Sequence, residues 1–149
     1  MLQENSTAWE DPDSEETNQT MTWTEAGQLS RRGVCFGAHT MTHAILTQVG
    51  SDTASQEIRQ SRPEIEEHLG QSCHWFAYPN GNYTPDVREL VKESGFRFAF
   101  TTGPGIWTAD TDPLLIPRVN ISENHLVGPG GRFSAAVFQY CTFWRCRSL

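Results

Sequence analysis

Three amphipathic segments of this chain end at glycines, Gly33, Gly70 and Gly95, and a short apolar run follows each one. Glycine takes the left-handed backbone conformation that closes a helix, so each reads as a helix stop. The helix starts are marked as well. Thr22-Trp23-Thr24-Glu25 reads as a capping box, in which the threonine hydroxyl takes a free amide and the glutamate reaches back from three residues on. Thr84-Pro85-Asp86 puts proline at the first helical position, where its missing N–H is not needed. A longer helix is expected from near Thr53 to Leu69, with Ala54, Ile58, Ile65 and Leu69 on one face and Pro63 kinking or breaking it. The runs at 34–38, 74–78 and 96–101 read as buried strands, 114–121 as a fourth, and 133–144 as a last helix. Helices alternating with strands give an α/β fold with a parallel sheet and right-handed crossovers.

Composition narrows the partners. The 149 residues, 37% hydrophobic, suit one domain with an ordinary core. A net charge of −7 argues against nucleic acid and anionic membranes, both of which need a basic face. No apolar run is long enough to span a bilayer, and the N-terminus lacks a secretion signal, so the chain at face value reads as soluble and cytoplasmic. Residues 1–20 are polar and acidic and read as a flexible lead-in to a domain over 21–149. Cys35 and Cys73 fall in expected strands and read as buried free thiols.

In a parallel sheet, ligands bind beyond the C-terminal ends of the strands. Gly37-Ala38-His39-Thr40-Met41-Thr42-His43 follows the first strand, Tyr78-Pro79-Asn80-Gly81 the second and Thr101-Thr102 the third. Two imidazoles, a turn and two hydroxyls therefore fall on one edge. Histidines four apart can hold one divalent ion, and a catalytic zinc-type site adds a third protein ligand, often a carboxylate, with a position left for water. A nearby carboxylate would take a proton, and backbone amides would hold a developing oxyanion.

These residues resemble a known family. The segment 37–47 is similar to the histidine metal motif of polysaccharide deacetylases, the NodB-homology or carbohydrate esterase 4 family. Phe76-Ala77-Tyr78-Pro79-Asn80-Gly81 resembles the family motif that lines the substrate groove, and Ala99-Phe100-Thr101-Thr102 and Pro117-Arg118-Val119-Asn120 resemble its later strands. The resemblance covers roughly residues 21–121. It implies a distorted (β/α) barrel and metal-dependent removal of N- or O-acetyl groups from an acetylated glycan. His39 and His43 would be ligands of a divalent metal, zinc first. Tyr78 would lend its backbone amide to the oxyanion, and Tyr78, Pro79, Asn80 and Gly81 would shape the substrate groove.

The chain also departs from the pattern. The family's first motif is a strand ending in Thr-Phe-Asp-Asp, one aspartate being the base and the other the third ligand, and no such segment occurs here. The resemblance therefore implies a partial domain that begins partway through the barrel, with weak metal binding and little activity on its own. Asp11, Asp13 and Asp52 have no spacing that recommends them as the missing carboxylate. His125 stands near the place of the family's leaving-group histidine, with a solvent-exposed loop residue as the plainer reading. Arg118 is expected to pair with Asp110 or Asp112. The rival readings are a non-catalytic remnant that binds glycan, and one half of a split deacetylase completed by an N-terminal fragment.

Overall fold

The computed structural model describes residues 20–121, 126–128 and 132–144. Helix α1, Trp23–Arg31, starts on the expected capping box: the Glu25 amide donates to the Thr22 hydroxyl at 3.3 Å and the Thr22 amide donates to the Glu25 carboxylate at 2.8 Å. Helix α2, Ser51–Leu69, begins at Gly50 with no side-chain cap and closes on Gly70 at φ 64°. It continues through Pro63 without the break that was one of the two expected outcomes. Pro63 lies on the exposed side, where solvent can serve the carbonyl that loses its donor. The two helices meet where the Trp23 ring stacks on His68, 4.1 Å between centroids.

Strand β1, Trp75–Ala77, leads into a 3-10 turn, Pro79–Gly81, and then helix α3, Pro85–Glu93, capped by the Thr84 hydroxyl. Strand β2, Phe98–Phe100, lies parallel to β1 with Trp75 opposite Phe98 and Ala77 opposite Phe100. The other two expected strands shrink to single parallel bridges, Ala38 to Phe76 and Phe100 to Ile116. Ala38 is fully paired all the same, its amide donating to Trp75 O and its carbonyl accepting from the Ala77 amide, both at 2.8 Å. Strand positions follow chain order across the sheet, from Ala38 to Ile116. The barrel implied by the resemblance is not closed among the described residues, which form a two-stranded sheet with these bridges. Helix α4, Ala135–Gln139, passes into a π-helical turn, Tyr140–Trp144, where a last helix was expected.

The core lies between the sheet and helices α2 and α3. Phe76, Tyr78 and Ala99 point into it and meet Ala54, Ile58, Val87, Val91, Phe96 and Leu114. Each large aliphatic or aromatic side chain so buried contributes about 1.5–3 kcal/mol. Alternation sends Trp75, Phe98 and Phe100 to the opposite face, where Trp75 stacks on both phenylalanines at 4.6 and 5.9 Å and all three stay half-buried. Cys73 is buried as expected, whereas Cys35 is exposed because its segment pairs only through Ala38. No described helix is long and apolar enough to cross a membrane.

Candidate functional site

The buried bridge at Ala38 sets the position of His39, the next residue. Its Nδ1 stands 2.6 Å from the Ala77 carbonyl, at the end of β1. A carbonyl can only accept, so Nδ1 carries the hydrogen, and in the neutral ring it is Nε2 that keeps the lone pair. Metal-binding histidines are commonly oriented through such a bond. The His43 ring stands edge-on to that of His39, with centroids 4.8 Å apart. Both residues are exposed and open to solvent. The pair read from the sequence is therefore brought together.

The segment that joins them is strained. Thr40 has φ 66° and His43 φ 61°, and a side chain in the left-handed region costs about 1–2 kcal/mol per residue. Glu57, on α2, opposes that cost. Its Oε2 accepts from the Met41 and Thr42 amides at 2.8 and 2.9 Å, and its Oε1 accepts from the Thr42 hydroxyl at 2.7 Å. Hydrogen bonds to a charged acceptor are each worth about 1.5–3 kcal/mol. Burial alone would raise the Glu57 pKa. The bonds from the Thr42 amide and hydroxyl and the Met41 amide outweigh it and hold the carboxyl below its ordinary range.

Beside the histidines lies the turn after β1. The Tyr78 amide, expected to face an oxyanion, donates instead to Phe100 O at 3.0 Å and is committed to the sheet. The Tyr78 side chain is fully buried and its hydroxyl donates to Leu114 O at 3.0 Å. Within the turn, the Gly81 amide donates to Tyr78 O and the Asn82 amide to Pro79 O, and proline has no N–H. The amide of Asn80 is left without an acceptor among the described residues. Asn80 sits at φ 60° and its carbonyl accepts from the Thr102 hydroxyl at 3.0 Å, so the ends of β1 and β2 are tied together here. Gly81, at φ 74°, passes so close to Thr102 that a Cβ would stand 2.7 Å from the Thr102 Cβ and nearer still to its amide and hydroxyl.

Arg118 does not pair with Asp110 or Asp112. Its Nε donates to Thr101 O at 2.8 Å, while Asp112 is held by Arg88 at 2.9 Å. A cavity of about 380 Å³ opens next to His39, walled by Cys35, Gly37, Ala38, Trp75, Ala77 and Phe100. Its wall is mainly apolar, with the His39 imidazole and the Cys35 thiol as its polar groups. His125, Asp11 and Asp13 lie outside the described residues.

The donor set suits a borderline divalent ion such as zinc in type: two imidazoles, one with its tautomer fixed to leave Nε2 available. Among the described residues no group of three His, Cys, Asp or Glu side chains converges on one point, Asp52 included. The pair would therefore supply two ligands to such an ion. Sequence reasoning missed two parts of this site, Glu57 and the Asn80 amide. Glu57 had a signal, since it falls three residues after Ala54 and four before Ser61, both buried, and a charge on the buried stripe of a helix needs partners. The Asn80 amide had none, because its freedom follows from bonds made by its neighbours.

The family model described as polysaccharide deacetylase matches residues 7–99. The Bacillus subtilis protein YlxY is 24% identical over 102 residues, 68% of this chain and 30% of that protein. The poly-beta-1,6-N-acetyl-D-glucosamine N-deacetylase of Staphylococcus epidermidis is 28% identical over 71 residues, 48% of this chain and 25% of that one. Among solved structures, the Streptococcus pyogenes deacetylase PplD in complex with acetate superposes with a TM-score of 0.69 and 25% identity. That match covers 73% of this chain and 48% of the streptococcal one. The chain thus spans less than a third of these curated relatives and about half of the solved structure.

Proposed function

Because this chain belongs to the polysaccharide deacetylase family, we propose that its histidine pair serves the hydrolytic removal of an acetyl group from a glycan. The observation that carries this is the bond from His39 Nδ1 to Ala77 O, which leaves Nε2 available beside the His43 ring. On this reading His39 and His43 hold a divalent cation, zinc first. When bound, that cation supplies Lewis acidity, polarising an acetyl carbonyl and lowering the pKa of a water. The chain's own residues bind and orient the acetyl group. The apolar wall beside His39 takes its methyl end and excludes water. The amide offered to a developing oxyanion passes from Tyr78, whose N–H is held by Phe100, to Asn80, whose N–H is free among the described residues. The finer fold reading is an arc of a distorted (β/α) barrel, consistent with strand positions in chain order from Ala38 to Ile116.

No carboxylate converges with the two histidines on one point among the described residues, so this chain alone is expected to bind metal weakly and to release little acetate. The test is calorimetric titration with Zn2+, followed by acetate or an acetylated chito-oligosaccharide. Zn2+-dependent binding of the acetyl compound, lost in His39→Ala and His43→Ala, is the expected result. Binding that ignores both substitutions and survives a chelator refutes the metal reading and leaves glycan binding without turnover. That second reading rests on the two-ligand donor set. Robust acetate release by the isolated chain would instead refute the expected incompleteness.

A further inference from the structure

We propose that Glu57 is the positioning residue for the histidine pair: its carboxylate fastens segment 40–42 and so sets where His43 stands relative to His39. This rests on the metal reading given above only for its consequence, and not for the clamp itself. The two imidazoles are held by different means. His39 is tied directly to the sheet through Ala77 O, while the placement of His43 follows from the backbone path across Thr40, Met41 and Thr42. That path passes through two left-handed residues without a glycine, and Met41 and Thr42 are exposed, so water competes for their amides. A free loop of this kind would sample other conformations.

Glu57 removes that freedom because both its oxygens are engaged by the segment and its own backbone is rigid. It lies in the second turn of a 19-residue helix, next to Ile58, which is 0% exposed, and one turn after Ala54. A carboxylate accepts from two amides and a hydroxyl together. A primary amide in its place would turn an NH2 toward one of those donors and lose at least one bond. Partners of ligating residues held in this way typically change metal affinity about 10- to 100-fold when removed.

The experiment compares the full chain with Glu57→Gln, Thr42→Val and Glu93→Gln. Glu93 forms an exposed pair with Arg59 and serves as the control. Hydrogen exchange of the Met41 and Thr42 amides is read first, without metal. Exposed but clamped amides are expected to be protected in the wild type and to exchange about 10-fold faster or more in Glu57→Gln. Zn2+ affinity is then measured by calorimetry, counting only the heat that His39→Ala abolishes. Glu57→Gln is expected to bind Zn2+ about 10- to 100-fold more weakly, whatever lowering of the metal-free thermal midpoint accompanies the lost bonds, and Glu93→Gln to match the wild type. Thr42→Val, which keeps both amide bonds and loses one of three, is expected to fall between them, and it decides the matter if Glu57→Gln fails to fold. A purely structural role predicts a lowered midpoint with unchanged Zn2+ affinity, and that result overturns the proposal. So does equal amide exchange in wild type and Glu57→Gln. A wild type that binds no Zn2+ overturns the metal reading instead, while the amide exchange still decides the clamp.

Discussion

Gly81→Ala isolates the close approach that ties the two strand ends at the site. The substitution has two separable costs. Gly81 sits at φ 74°, and a residue with a Cβ in the left-handed region loses about 1–2 kcal/mol. The added Cβ would also stand 2.7 Å from the Thr102 Cβ, and nearer still to the Thr102 amide, which is backbone and cannot rotate away. Overpacking of this kind costs about 1–3 kcal/mol. The two together come to about 2–5 kcal/mol. Gly70→Ala provides the reference, because Gly70 has φ 64° and a Cβ added there would meet nothing within 4 Å, so it carries the conformational cost alone. Urea unfolding followed by tryptophan fluorescence, compared at constant slope, gives both values. Thr102→Ala in the Gly81→Ala background removes the hydroxyl but not the amide, and is expected to recover only part of the difference. If Gly81→Ala proves no more destabilising than Gly70→Ala, the strand ends do not approach as described and the turn cannot hold Asn80 in place.

Three further outcomes are expected. Tyr78→Phe should cost about 1–3 kcal/mol in urea unfolding, because it leaves the buried Leu114 carbonyl without its donor. Burial also pushes the Tyr78 phenol well above its ordinary pKa. Its contribution is therefore complete below about pH 10 and declines as pH rises beyond it, so Tyr78→Phe should flatten the alkaline limb of stability against pH. Glu57 runs the opposite way: its lowered pKa contributes above the ordinary glutamate range and is lost as pH falls through and below about 4, which a fall in the protection of the Met41 and Thr42 amides relative to their intrinsic exchange rates at each pH would report. Thr22→Ala breaks the capping box and should lower stability by about 1 kcal/mol, read from the urea midpoint.

Sequence and structure agree most closely where the information is local. The capping box at Thr22, the proline start at Pro85 and the left-handed glycines 33, 70 and 95 could be read because each element's end is set by residues within a turn of it. The buried faces of α2 and α3 follow from helical spacing for the same reason. Strands were legible as positions but not as lengths. Val34 and Cys35 are as apolar as a strand requires, yet only Ala38 of that run bridges a neighbour, since pairing is decided by what lies alongside. Pro63 does not break its helix, because the local rule meets a long helix held by tertiary packing.

By itself, the sequence determined the family, the α/β order and the two histidines at a strand's end, because motif and periodicity are written in consecutive residues. Only the tertiary structure decided how those residues are used. It fixed the His39 tautomer through Ala77, withdrew the Tyr78 amide into the sheet, left the Asn80 amide without an acceptor among the described residues and set Glu57 against the histidine loop. Each of these depends on hydrogen bonds between groups far apart in the chain or on bonds their neighbours have already made. No spacing in one segment specifies such bonds, because they exist only once separate elements are packed together.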